Sequence, residues 1–183
     1  KQLTPLELPL YKKKYKSAFK QFDKYFLFVE RSLQLLKDNG YLGYILPSKF
    51  VKVGAGKNLR QLLVDSKSLC KLISFGANQV FKNKTTYTCL LFLKKSQQTE
   101  FSFYEVKDFK KWLARDEDVV NTSTYEIANL DADTWILENE INQILELMYR
   151  NSQPLGNILG KKAIANGIQT SANEYYIHKE IKT

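Results

Sequence analysis

Apolar positions recur every three to four residues through the first third of the chain. Phe22, Phe26, Val29, Leu33 and Leu36 share one face of a helix over 22–38. Asn39-Gly40 stops it, glycine being suited to a left-handed C-cap. "YLGYILPS", 41–48, is an almost unbroken apolar run that Pro47 ends, so it predicts a buried strand. Leu59, Leu62 and Leu63 predict a short helix. "CKLISFG", 70–76, predicts a strand closed by glycine, and 86–94 predicts another. The first two strands are joined by a helix, as in a parallel α/β sheet. The last two are joined by about nine residues, too few for a helical crossover, and so run antiparallel.

Past Lys95 the pattern shortens. "FSFYEVK" predicts a strand and "DFKKWLARDED" a short helix with Asp108 as its N-cap. "STYEIANLD" reads as a further strand. Residues 134–150 predict a second amphipathic helix, with Trp135, Ile141, Ile144, Leu145 and Met148 on one side. The tail, 155–183, is rich in Gly, Asn and Lys and reads as the start of another domain. At the other end, Pro5 and Pro9 keep the beginning of the chain out of regular helix. Lys12, Lys13, Lys14, Lys16 and Lys20 then interleave with Tyr11, Tyr15 and Phe19. These lysines either contact phosphates or form a solvated face, with the rings turned inward.

Charge changes this picture more than composition does. The chain has 183 residues, 44% hydrophobic and 13% aromatic, enough for a real core and against disorder. Its net charge of +9 is uneven. Residues 1–98 carry 19 Lys/Arg against 5 Asp/Glu, whereas 99–183 carry 9 against 14. A basic first half suits a polyanion such as nucleic acid, or is simply a soluble basic surface. No apolar run reaches the ~18–20 residues of a membrane helix, and no signal-peptide pattern opens the chain. The expectation is a cytoplasmic protein without a membrane partner. Lys1 is not methionine, so the chain reads as a piece of something longer. Cys70, Cys89 and His178 are the only soft ligands, which leaves no zinc site and no disulfide framework. Gly54 and Gly56 lack the spacing of a phosphate loop. No Ser-His-Asp set or carboxylate pair stands out, and no catalytic residue is assigned.

One residue resists the pattern. In "NQVFKNK", 78–84, Phe81 is an apolar ring in a polar turn. Structurally it would plug the hairpin against the sheet.

"FDKYFLFVERSLQLLKDNGYLGYILPSKF" resembles a stretch of the N6-adenine DNA methyltransferases of the TaqI type, which include the fused restriction-modification enzymes called type IIG. Asp23, Tyr25, Phe28, Glu30, Leu35, Leu36, Lys37, Gly40, Leu42, Gly43, Ile45, Leu46 and Pro47 fit that pattern. "GKNLRQLLVDSKSLCKLISFGANQVFKNKTTYTCLLFL" fits the next block, with Ser74 where the family often has Asp and Lys84 where it often has Ala. "GIQTSAN" is similar to the opening of the family's target-recognition domain, through Gly167, Ile168, Thr170 and Asn173, with Ser171 in place of glycine.

The resemblance implies an α/β fold: the C-terminal half of a Rossmann-like methyltransferase sheet with an antiparallel last strand. It divides the chain into catalytic domain (1–105), connector (106–150) and the start of the recognition domain (151–183). It implies S-adenosylmethionine as cofactor and double-stranded DNA as partner. The parent activity would be methyl transfer to adenine N6 within a restriction-modification system, in type IIG members alongside an endonuclease. Phe81 falls where the family stacks an aromatic ring on the flipped adenine. Phe28 falls where an aromatic residue lies against the cofactor's adenine, or else is core. Lys12, Lys13, Lys14, Lys49, Lys82 and Lys84 are the DNA-contact candidates. The family's glycine-rich cofactor motif and Asn-Pro-Pro-Tyr lie outside these 183 residues. The isolated chain is therefore expected to be inactive, with an uncovered sheet edge that invites dimerisation. The rivals are a non-catalytic DNA-binding or specificity module, and an RNA or protein methyltransferase on the same sheet.

Overall fold

The computed structural model describes residues 4–82, 84–115, 120–137, 148, 151–153 and 155–160. The chain divides into two compact units, 1–139 and 140–183. In the first unit, helices α1 (Glu7–Lys14), α2 (Lys24–Leu35), α3 (Lys57–Asp65) and α4 (Phe109–Leu113) accompany a five-stranded sheet. Its strands are β1 (Tyr41–Pro47), β2 (Leu69–Ser74), β3 (Thr88–Lys94), β4 (Glu100–Val106) and β5 (Val120–Glu126), in the order β1-β3-β2-β4-β5. In the second, the described residues include a short helix, α5 (Leu155–Leu159).

β1 and β2 run parallel, as the helix between them requires, but they are not neighbours. β3 lies between them and pairs antiparallel with both. β2 then pairs parallel with β4, and β4 antiparallel with β5. β3 is the most deeply buried strand: Leu91 and Leu93 are fully buried and Cys89 nearly so. Among the described residues β1 is an edge strand, hydrogen-bonded on the β3 side only.

α2 buries Phe26, Leu27, Val29 and Leu33 against the main core, so the 3.6-residue period reads correctly. The helix stops at Leu35, before Asn39-Gly40. The left-handed residue is Asn39, at φ 60°. Gly40 is needed for space, since a Cβ there would lie 2.8 Å from the Lys37 carbonyl oxygen. Pro9 does not prevent α1. It sits in the first turn, where its missing N–H would have no partner in any case. Tyr11 and Tyr15 of this segment pack on the core while the lysines stay out. Glu30, buried on α2, accepts the backbone N–H groups of Lys16 (3.1 Å) and Ser17 (2.8 Å) and so fixes the α1–α2 connection.

The later elements differ more from expectation. Asp108 does cap α4, accepting from the N–H of Lys110 (2.9 Å) and Lys111 (3.2 Å). The predicted strand over 123–131 is β5 only to Glu126, and Ile127–Asn129 forms a 3-10 turn. Residues 134–137 are an extended strap rather than helix. Ile141, Ile144 and Leu145 of that predicted helix lie outside the described residues, as do Gly167, Ile168, Thr170, Ser171, Asn173 and His178.

Arg60 ties the strap down. Its buried guanidinium donates to the carbonyls of Phe50, Val53 (2.9 Å) and Ala132 (3.0 Å). Desolvation lowers its proton affinity, and nearby Asp133 and Asp131 oppose the loss. Arginine remains charged throughout. Trp135 completes the closure: its backbone N–H donates to the Val51 carbonyl at 3.1 Å, and its ring packs edge-on against Phe50. Gly56 faces this clamp. A Cβ there would run into the Phe50 carbonyl and the Arg60 guanidinium. Gly56→Ala should therefore cost ~1–3 kcal/mol through overpacking. Arg60→Met should cost at least about 3 kcal/mol through lost charge-assisted bonds. Urea unfolding midpoints check both; wild-type midpoints would refute the clamp.

Candidate functional site

The topology gathers one end of the sheet. β1, β2 and β4 all finish there, and β3 begins there, with Pro47 opposite Thr88 and Ser74 opposite both Cys89 and Glu105. The connections after β1 and β2 therefore emerge side by side, where open α/β sheets place their sites. The Ser48 N–H donates to the Tyr87 carbonyl at 3.0 Å and joins the two connections directly.

A cavity of about 410 Å³ opens at this end. Val51, Leu72, Phe103 and Trp135 give it apolar walls, while Lys49 and Glu105 bring charge to it. A second hollow, of about 390 Å³, lies between Lys20, Asp23 and Lys49. Lys49 thus borders both. Its ammonium pairs with Asp23 at 2.5 Å, and both side chains are about half exposed. Such a half-exposed pair adds little stability, ~0–1 kcal/mol.

Phe81 lies in the connection from β2 to β3, about half exposed at 49%. It is not a plug. Val80 takes that role and packs on a second apolar cluster formed by Ile73, Phe75 and Val106. Lys82 and Lys84, which follow Phe81 in the same connection, are exposed. Phe28 is not core either. Its ring is 65% exposed on the outer side of α2. Lys12, Lys13 and Lys14 are exposed in the last turn of α1. The topology thus brings Phe81, Lys82, Lys84 and Lys49 to the same end of the sheet and puts Phe28 and the α1 lysines on helices beside it.

Three contributors escape a sequence reading. Asn78 binds two strand ends, Arg60 clamps the 48–53 segment, and Trp135 closes the large cavity. Only Asn78, in a turn after Gly76, carries a local signal.

Residues 1–81 match the model of the Eco57I restriction-modification methylase family. The Type II restriction enzyme and methyltransferase RM.Eco57I of Escherichia coli is 68% identical over 182 residues, covering 100% of this chain. The chain spans 18% of the length of that Escherichia coli relative. The Type II methyltransferase M.BstVI of Geobacillus stearothermophilus is 25% identical over 185 residues, covering 91% of this chain and 33% of its own. Among solved structures, a nuclease-deletion mutant of the Type ISP restriction-modification enzyme LlaGI, in complex with a DNA substrate mimic, has the same fold. It matches 78% of this chain and 17% of its own with a TM-score of 0.55 and 15% identity.

The family match ends at Phe81. Beneath the cavity, burial pushes the Cys89 thiol up to about 12, so it stays protonated at neutral pH. Cys70, the other free cysteine, is only partly buried. Iodoacetamide at pH 8 should therefore alkylate Cys70 and spare Cys89 until the chain is unfolded. Peptide mass spectrometry reads this directly, and rapid native labelling of Cys89 would contradict the packed β3.

Proposed function

We propose that this chain is the C-terminal half of the catalytic sheet of a DNA methyltransferase that acts at adenine N6 within a restriction-modification system. In this reading the segment from 151 onward begins the target-recognition domain. The observation that carries it is Phe81. The chain spends Val80 on packing and leaves an aromatic ring half in solvent, beside two exposed lysines. An exposed ring flanked by cations suits a flipped base: the face stacks and the lysines meet phosphates. The 68% identity to a restriction enzyme and methyltransferase supports the same reading.

S-adenosylmethionine would supply an electrophilic methyl group on its sulfonium. One feature of this chain fits it. Phe28 offers an uncovered aromatic face on α2, available to the cofactor's adenine. The glycine-rich motif and Asn-Pro-Pro-Tyr belong upstream in the parent enzyme. The free edge of β1 would pair with that upstream half, and in the isolated chain it would favour dimerisation. Lys49, Lys82 and Lys84 would contact the DNA backbone at the site, with Lys12, Lys13 and Lys14 further out.

The second reading, a non-catalytic DNA-binding module, draws on the basic first half, which alone would hold a duplex. One experiment separates the two. In the whole enzyme, Phe81→Ala should weaken base flipping by about tenfold, the equivalent of ~1–3 kcal/mol of stacking. A fluorescent adenine analogue at the target position reads this. The melting temperature should stay within about 2 °C, because a half-exposed ring contributes little packing. Intact flipping would remove the base-stacking role. A whole enzyme that binds DNA but transfers no labelled methyl group would favour the binding module.

A further inference from the structure

The loop that carries Phe81 is held mainly at its start. Phe75, Gly76, Ala77 and Asn78 form a turn, closed by the Asn78 N–H donating to the Phe75 carbonyl at 2.9 Å. Gly76 takes the left-handed conformation this needs, at φ 51°. The Asn78 side chain then does something a turn does not require. Its amide nitrogen donates both hydrogens, one to the Phe75 carbonyl at 2.9 Å and one to the Val106 carbonyl at 2.8 Å. Two carbonyl partners also fix which way the amide points. One side chain therefore joins the end of β2 to the end of β4, 28 residues later in the chain.

The far anchor is itself rigid. Val106 is buried, and Asp108 caps α4 directly after it. Phe109 and Trp112 of α4 pack edge-on against Phe75, at 5.5 Å and 5.1 Å between ring centres. Val80 settles on the same cluster. Past Val80 the Lys84 N–H donates to the Phe81 carbonyl at 3.3 Å. Phe81 thus projects one residue beyond a double anchor, and that anchor rests on β4 and α4, which lie beyond the 81 residues of the family match.

We propose that Asn78 is a positioning residue. By bridging β2 to the β4–α4 unit it sets where Phe81 stands, so that the reach of the aromatic ring is governed by that strand and helix. The inference rests on the base-contacting reading of Phe81, but the anchor can be tested apart from it. Asn78→Asp is nearly isosteric and cannot donate. It leaves both carbonyls without their partner and sets a carboxylate against them.

The test uses the whole enzyme. Trypsin cleavage after Lys82 and Lys84 reports the loop without reference to function. It should accelerate about tenfold in Asn78→Asp, while cleavage elsewhere keeps its wild-type rate. The flipped-base fluorescence should fall by a similar factor. Cofactor affinity should hold, so the loss appears in the DNA-dependent step. Val80→Ala, which loosens the second anchor, should give the same local signature and serves if the Asp variant does not fold. Wild-type cleavage and flipping in both variants would overturn the proposal. If the loop loosens but Phe81→Ala leaves flipping intact, the anchor stands and the reading of Phe81 falls, taking the positioning role with it. If Phe81→Ala abolishes flipping while Asn78→Asp does not, the positioning role alone falls.

Discussion

Everything at the candidate site follows from β3 running against its neighbours. A helical crossover would have returned the chain to the far end of the sheet before the next strand. A strand inserted antiparallel between β1 and β2 instead turns the chain back at the end where both finish. The β2–β3 connection is thereby forced to emerge beside the segment after β1. Phe81 and Lys49, 32 positions apart, share one end of the sheet for that reason. The strand tolerates its central place because it is apolar on both faces, as a sheet covered on both sides demands.

A second constraint closes the site from the other side. An ammonium or guanidinium without a carboxylate partner is costly to bury, and Arg60 is repaid with three carbonyls. Two belong to the segment that carries Lys49, and the third belongs to the strap from 131 to 137. The bond pattern therefore fixes Lys49's backbone and Trp135 together. Gly56 is the sequence consequence, because the guanidinium occupies the space a side chain would need.

The parts legible in the sequence were those governed by local physics. The apolar period of α2, the strand over 86–94, and the short link that made β2 and β3 antiparallel all read directly. So did the Asp108 cap, where one carboxylate meets two free N–H groups. The rest failed where tertiary contacts overrule local preference. Trp135 suits a helical face, yet its bond to Val51, and that of Leu137 to Tyr125, draw the segment out as a strap. Pro9 looked like a helix breaker because its position relative to the first turn was not known. The second neighbour of β2, β4, was unreadable: strand order depends on pairing across the sheet, which no local period encodes.

The same distinction explains Phe81 and Phe28. On period and hydrophobicity each could be core, and composition cannot separate a packed ring from a presented one. What separates them is the accounting of neighbours. Val80 fills the space a plugging Phe81 would take, and Phe26, Leu27 and Val29 fill the core side of α2 around Phe28. Once those sites are filled, an aromatic ring left in water costs solvation free energy with no packing to offset it. Lone exposed rings are ordinary. Here, though, one stands at the strand ends, followed by exposed lysines, on a loop braced by Asn78.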